Sequence, residues 1–434
     1  MNIRFFNARI LLIDGEKAKV SGKGAFSALE NGELHVKGER ISYVGEKPEK
    51  TGSSWDREID AKGNLLMPGF KNGHTHSAMT FLRSDADDLK LQDWLNNICF
   101  PREARLSAED IYYCTLLACM EYFSGGITGI CEMYLTPDSI ARAVEEAGMR
   151  CVQCGGVNNF SQSPEQMEEW FNRHNKPGSL NEFRLGIHAE YTCSEELIKK
   201  VADLAEKYHA PVYCHNSETA KEVEDCRKRT GLTPTETLEK AGIFQYGGTC
   251  FHCVHMTEHD LEICRERDIR VVTNPASNLK LASGIAPVSS FLSHGLTVGI
   301  GTDGPASNNC LDMFREMFLV TGLAKLKEND AAAMDAEEVL LMALYSGAHA
   351  IGLYESDCLA PGKYADLVMI DMNSPNMQPV NNIGKNLVYS GSKSNVLLTM
   401  VGGRIVYEEG RYNIGHTTEE IYEAVRDVAE KSRV

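Results

Sequence analysis

Between residues 65 and 352 the chain alternates eight short apolar runs with amphipathic helical patterns, and few folds accommodate that order. The runs are LLMPGFKNGHTH, GITGICEMY, RCVQCGGV, FRLGIHAEY, PVYCHNSE, GTCFHCVHM, IRVVTNPASN and LTVGIGTDG. Helical spacing marks the intervening segments, such as AEDIYYCTLLACMEYFS, SIARAVEEAGM, SEELIKKVADLAEKYH and TEHDLEICRERD. Strands joined through helices return in the same direction, so the sheet is parallel, and eight such units close a barrel. An open doubly wound sheet is the competitor. It sets only the strands at its switch point beside a ligand. Here several runs end in polar or ionisable residues, which a barrel gathers at one mouth. The expected class is α/β, a (β/α)8 TIM barrel over residues 65–352.

The two ends have another texture. Residues 1–64 read as short strands (IRFFNARILLI, ELHVKGERISYVG, REIDAKGNLLMPG) broken by Gly, Asp and Lys turns. Similar runs return within 353–434, in DLVMIDMN and NLVYSGSKSNVLLTMVGGRIVYEEGRY. The two ends are therefore expected to combine into one small β-sandwich in which the barrel is inserted. The final segment, TTEEIYEAVRDVAEKSRV, opens with an N-cap signal and reads as a helix.

A formal charge of −17 argues against a nucleic-acid partner, because such surfaces need Lys and Arg to replace phosphate counterions. It leaves a neutral small molecule open. No uncharged run approaches the ~20 residues of a membrane helix, and the first residues, MNIRFFNARILLIDGE, are expected to be a strand ended at Asp14-Gly15 rather than an export signal. Many of the fourteen cysteines lie in apolar strand runs, where thiols behave as small hydrophobes. A reducing cytoplasm is the expected compartment. A homo-oligomer is compatible with the sequence. The pairs Cys151/Cys154 and Cys250/Cys253 have zinc-like spacing, but both sit in strands rather than in the turns such sites use.

The chemistry concentrates at strand ends. His74 and His76 are two apart, so on a strand both imidazoles leave the same face and can converge on one ion. Alone the pair is a common dipeptide. His215 in YCHNSE, His252 in FHCVH and Asp303 in IGTDG end other runs and strengthen it. Imidazoles with one carboxylate suit zinc or ferrous iron, with a coordination position left for water.

The run PGFKNGHTHSAMTFLRSDADDLKLQDWL, with CHNSE, FHCVH, NPASNLKLASGIAPV and GTDGPASNN, resembles the amidohydrolase superfamily. Its nearest likeness there is the S-adenosylhomocysteine/methylthioadenosine deaminase and chlorohydrolase branch, and it extends over nearly the whole chain. The resemblance implies His74, His76, His215 and Asp303 as metal ligands. Glu218 matches the proton-shuttling glutamate. His252 matches the histidine that steadies the attacking oxygen, and Asp303 would also pass a proton to the leaving ammonia. His255 faces the other way along its strand and is read as a structural hydrogen-bonding residue. Relatives with two metals carry a lysine on the fourth strand; FRLGIHAEY has none, so one divalent ion, zinc or ferrous iron, is expected.

Trp94, Glu103 and His188 match the branch's substrate residues, with the glutamate accepting ribose hydroxyls. One departure concerns the substrate. Homocysteine-recognising members carry an arginine at the end of the third strand and another in the following loop, whereas this chain reads RCVQCGGVNNFSQS, with Cys154 at the first place. A cysteine cannot clamp a carboxylate bidentately. Adenosine, methylthioadenosine or another aminated heterocycle is then as suitable as S-adenosylhomocysteine. Glu190 is a further candidate for an amino or ring N–H group. The implied activity is hydrolytic release of ammonia from an aminated purine nucleoside. The alternatives are deamination of guanine, cytosine or a pterin, dechlorination of an s-triazine, and a non-catalytic metal-binding barrel. Glu218 favours a deaminase over dechlorination, and no ligand is lost as a non-catalytic barrel would suggest. No Gly-x-Gly-x-x-Gly joins a strand to a helix, which leaves a dinucleotide oxidoreductase without its site.

Overall fold

The computed structural model describes residues 1–48, 54–85, 87–89, 91–176 and 178–433. Eight parallel strands follow one another around a barrel: Phe70–Thr75, Ile127–Glu132, Arg150–Cys154, Asn181–Ala189, Val212–Asn216, Gly248–His252, Ile269–Thr273 and Val298–Ile300. The first and last strands meet through loops at the site end. The Asp303 N–H donates to the His74 carbonyl at 2.9 Å and the Thr302 N–H to Asn72 Oδ1 at 2.9 Å. A Cβ on Gly301 would stand 2.4 Å from Asn274 Oδ1 and 2.7 Å from the His74 nitrogen, so only glycine allows this closure.

Helices with ordinary caps surround the strands. Ala108–Ser124 opens on a capping box between Ser107 and Asp110, Glu195–Tyr208 on Ser194, and Glu258–Glu266 on a box between Thr257 and Asp260. Their apolar faces and the outward strand residues form the main core, with Phe70, Phe183, Phe244 and Phe291 fully buried in it. Inside the barrel, Cys131, Val152, Cys154, Tyr213, Phe251 and Val272 pack together with Ala348, Ile351 and Leu353. The interior is thus a filled core. Every cysteine is a free thiol, and twelve of the fourteen are buried.

The chain ends share one nine-stranded mixed sheet. Leu65–Pro68 pairs in parallel with Asn2–Ile13 and antiparallel with Leu367–Ile370, joining N-terminal to C-terminal strands. The sheet curls until the Ile41 N–H reaches the Lys363 carbonyl at 3.0 Å, enclosing Phe5, Leu34, Leu66, Leu367 and Met400. The chain enters the barrel at Gly69, where a Cβ would clash with Thr128 Cγ2 at 2.1 Å. The final helix, Thr418–Lys431, packs on Ala108–Ser124. Among the described residues no helix is long and apolar enough to cross a membrane.

Three segments differ from the sequence expectation. NPASN is not strand: the seventh strand ends at Thr273 and Pro275–Lys280 is helical, with proline at a first-turn position it favours. NLVYS in the C-terminal region is a helical turn, and the strand begins only at Val396. His76 lies just beyond the first strand, at the entry to the helical turn Ser77–Leu82.

Candidate active site

His74 lies one residue before the end of the first strand with no solvent exposure, and Phe251 stacks on its ring at 3.9 Å between centroids. Its neighbours are other imidazoles, His76 and His215, each 4.8 Å away between ring centroids. His215 comes from the fifth strand, His252 from the end of the sixth, and Asp303 from the loop after the eighth. His252 and Asp303 take left-handed backbone, with φ of 67° and 60°, as does Ser217 at 50°. Non-glycine residues hold such conformations at a cost of ~1–3 kcal/mol each, which the surrounding structure must impose.

The hydrogen bonds leave a set of nitrogens free to converge. Nδ1 of His76 donates to the Met133 carbonyl, and Nδ1 of His215 to the His188 carbonyl at 2.8 Å. For His215 the bond fixes the tautomer that leaves Nε2 a lone pair; at His76, burial is outweighed by Asp303 and Glu132, which raise it to about 9, so an ion binding there would displace the Nε2 proton. Asp303 Oδ2 accepts the hydroxyls of Ser277 at 2.6 Å and Ser307 at 2.7 Å. Its other oxygen lies 3.5 Å from His74 Nε2 and 3.2 Å from His76 Nε2. Both His74 nitrogens are buried with no protein partner.

These observations test whether a metal ion fits. Donor groups His74, His76 and Asp303, and His74, His215 and His252, each lie within 4.8 Å of one another. A tetrahedral ion with ligands at ~2.0–2.2 Å separates its donors by roughly 3.3–3.6 Å, close to the Asp303–histidine spacings. An unpartnered buried imidazole costs free energy that a ligand bond removes. Burial lowers the His74 pKa to about 3, and burial followed by the neighbouring imidazoles takes His215 well below its usual value, so both are neutral donors. Burial opposes charge on Asp303, but the adjoining imidazoles of His74 and His76 outweigh it and hold the carboxyl ionised. The set fits one divalent cation. No lysine lies on the fourth strand, and the barrel's buried lysine, Lys71, is spent on the Gly69 carbonyl and Thr128. The cysteine pairs form no donor cluster among the described residues.

Glu218 follows the fifth strand and lines the same cavity. Its Oε1 accepts from Ser283 at 3.4 Å, and Oε2 lies 4.0 Å from His252 Nε2. Burial raises its pKa, the His252 side chain opposing. Glu222 clamps the turn that carries it, accepting the N–H groups of Ser217 and Glu218 at 2.9 and 2.8 Å. The cavity encloses about 380 Å³, a size typical of small-molecule sites. Trp94, Glu103 and His188 all line it, together with His76, His215, His252 and Asp303, above the buried His74. Trp94 Nε1 and Glu103 Oε1 are buried without partners. Burial raises Glu103 to about 7, with Tyr134 and His76 opposing.

Other expectations resolve differently. Glu190 does not line the cavity; Arg229 holds its carboxylate in two bonds of 3.0 and 2.7 Å. His255 lies beyond the end of the sixth strand, not on it, and its Nε2 donates to the Ser283 carbonyl at 2.7 Å. Four contributors escaped sequence reading: Ser277 and Ser307 on Asp303, Asn278 on His252, and Glu132. Glu132 accepts the Ser77 N–H with both oxygens, at 3.1 and 3.0 Å, beside His76. A lone acid inside the apolar run ITGICEMY was its one visible signal.

Comparison with known proteins agrees with this arrangement. The family model described as Amidohydrolase family matches residues 65–406. A 5-methylthioadenosine/S-adenosylhomocysteine deaminase of Pelotomaculum thermopropionicum is 40% identical over 407 residues, 92% of this chain and 93% of its own. A 5'-deoxyadenosine deaminase of Methanothermobacter thermautotrophicus is 37% identical over 411 residues, 93% of this chain and 96% of its own. Among solved structures, an adenosine deaminase from Xanthomonas campestris with bound zinc superposes with a TM-score of 0.91 at 30% identity, covering 99% of this chain and 98% of that one.

Proposed function

The chain belongs to the amidohydrolase family, and from that premise we propose that it is a metal-dependent deaminase that hydrolyses the exocyclic amine of an adenine nucleoside. The observation that carries this reading is one convergence. His74, its two nitrogens unpartnered, stands beneath a cavity that Glu218, His252 and Asp303 all face. His74, His76, His215 and Asp303 would hold the ion, zinc or ferrous iron in keeping with the three-imidazole, one-carboxylate set. When bound, such an ion would supply a water activated for attack at neutral pH.

The remaining steps fall to the protein. Glu218 takes a proton from the attacking water and delivers it to the ring nitrogen beside the amine-bearing carbon. Burial raises its pKa, which makes the carboxylate a better proton acceptor than an exposed one. Asp303 accepts the second proton and passes it to the departing ammonia, its Oδ2 held by Ser277 and Ser307. His252 steadies the oxygen as charge develops on it. Trp94, Glu103 and His188 hold the nucleoside, Glu103 through the ribose hydroxyls. A C–O bond forms and the exocyclic C–N bond breaks, so the aminated ring and water become the ring lactam and ammonia.

The relatives named above act on adenine nucleosides, which supports that substrate class over free guanine, cytosine or pterins. Fourteen free thiols fit a reducing cytoplasm, and the net charge of −17 fits a small-molecule partner better than nucleic acid. The test is ammonia release by metal-loaded protein from adenosine, 5'-deoxyadenosine, methylthioadenosine, guanine, cytosine and pterins. Turnover of the nucleosides is expected. Release from none of the six would sink the reading.

A further inference from the structure

His76 and Asp303 follow the first and the eighth strand of the barrel, yet Nε2 of one lies 3.2 Å from Oδ1 of the other. Two chain segments so far apart in sequence hold such a spacing only if something ties them. The residues on either side of His76 show what does. Strand alternation turns Thr75 away from the face that His74 presents, and Ser77 opens the helical turn beyond His76. Both are fully buried, as is Tyr122 in the last turn of the helix Ala108–Ser124.

The Tyr122 hydroxyl stands between them, 2.8 Å from Thr75 Oγ1 and 2.9 Å from Ser77 Oγ. Thr75 Oγ1 in turn lies 3.2 Å from the Asp303 carbonyl, which can only accept. Each hydroxyl has one proton to give, so a single direction makes all three contacts hydrogen bonds. Ser77 donates to Tyr122, Tyr122 to Thr75, and Thr75 to the Asp303 carbonyl. Burial, with the Glu132 charge adding to it, raises the Tyr122 pKa well above that of an ordinary phenol, so its proton stays in place. Glu132 anchors the start of the chain by accepting the Ser77 N–H with both oxygens, at 3.1 and 3.0 Å.

Buried hydroxyls are paired wherever they occur. What distinguishes these is where they sit. Two of them flank one proposed metal ligand, and their chain ends on the backbone of another. The hub comes from a third element. Metal–ligand distances hold to about ±0.2 Å, so a small drift between His76 and Asp303 weakens one bond or the other.

Resting on the ion site of the reading above, we propose that Tyr122 is a positioning residue that sets the spacing between His76 and Asp303. It acts through Thr75 and Ser77. Its hydroxyl holds the backbone on both sides of His76 and passes the constraint to the Asp303 carbonyl.

The experiment measures zinc affinity by competition with a chelating indicator. Tyr122→Phe removes one oxygen and keeps the ring in the core. Its zinc Kd is expected to rise ~10–100-fold, the range seen when a partner that orients a ligand is lost. The visible absorption of the cobalt-loaded variant, which reports on coordination geometry, is expected to differ from the wild type. Thr75→Val cuts the same chain and should raise Kd in the same direction. The double variant should lie within about threefold of the larger single effect, because the two residues act as one unit. Thr115→Val removes another buried hydroxyl from the same helix, one that donates to the Ile111 carbonyl at 2.7 Å, and should leave Kd within about twofold. A zinc Kd within twofold of the wild type in Tyr122→Phe or in Thr75→Val would overturn the role. An equal rise in Thr115→Val would do the same, since any loss of packing would then suffice. Wild-type protein that takes up no zinc would remove the ion site and this role together. Because the readout is binding, a lack of ammonia release would count against the deaminase reading alone.

Discussion

Asn278 Oδ1 lies 2.8 Å from Nδ1 of His252, and both residues are almost wholly buried. An amide oxygen there accepts the Nδ1 proton, which leaves the opposite ring nitrogen facing Glu218 and the cavity. The orientation of His252 therefore rests on a residue from the helix after the seventh strand.

The first prediction follows from that contact. Asn278→Ala is expected to lower kcat ~10–100-fold, the usual range for removing a partner that orients a site histidine. Metal content, measured by atomic absorption, should stay at the wild-type level, because His252 is not among the proposed ligands. Full turnover in Asn278→Ala would remove its positioning role.

Glu218→Gln separates binding from chemistry. The amide keeps the shape and the Ser283 contact but can no longer carry a proton. Turnover is expected to fall ~10²–10⁴-fold, with metal content and methylthioadenosine binding retained. Unchanged turnover would end its assignment as the proton carrier.

Removal of the ion tests the donor set. A chelator should abolish activity, and zinc at 100 times its Kd should stabilise the protein by about 2.7 kcal/mol relative to the stripped form. His74→Ala should lose that stabilisation, since His74 belongs to both donor clusters. Elemental analysis should find one ion per chain; two would contradict the single-ion site.

Glu103 gives a pH signature. Burial raises its pKa to about 7, so it is protonated below neutrality and a carboxylate above it. On the proposed reading the carboxylate would accept two ribose hydroxyls and the protonated form would offer one acceptor fewer, so KM should rise as pH falls below about 7. Glu103→Gln should flatten that limb of KM while leaving the pH dependence of kcat, which reports on other groups such as Glu218. Persistence of the limb in Glu103→Gln would assign it elsewhere.

The barrel and the ion-binding candidates were legible in the sequence for a specific physical reason. Each barrel strand is an apolar run ended by a polar residue, and His74, His215 and His252 break that apolar pattern where the strand leaves the core. The supporting groups were not legible. Asn278, Ser277 and Ser307 are ordinary loop and helix residues whose roles depend on which strand ends lie side by side. Glu190 shows the reverse: its place near His188 suggested a ligand contact, but Arg229, 39 positions along the chain, takes its carboxylate. NPASN and NLVYS carry strand-like composition, yet a proline placed for a helical first turn and local i-to-i+5 bonding decide otherwise.

The last prediction concerns stability at the opposite end of the barrel. Arg150 begins the third strand and grips Asp366 through Nε at 2.7 Å and Nη2 at 3.1 Å, and Asp366 also accepts the Gly402 N–H at 2.7 Å. The side chains are 7% and 0% exposed, so this pair joins barrel to outer sheet in a dry interface. Removing one partner strands a buried charge, and Arg150→Ala is expected to cost ~3–5 kcal/mol in urea unfolding. Asp366→Ala should cost more, because it deprives both Arg150 and the buried Lys71 of a favourable charge. Replacing the pair together, as Arg150→Met with Asp366→Leu, should recover most of the loss, since burying two apolar groups avoids desolvating charge. Recovery should stop short of the wild type by ~1–3 kcal/mol, the cost of leaving the Gly402 N–H unpaired. Throughout the series kcat of the folded protein should stay within about twofold, because the pair sits at the strand starts and the site at the strand ends. A double variant no more stable than Arg150→Ala would show that the ion pair contributes more than the avoidance of a lone buried charge.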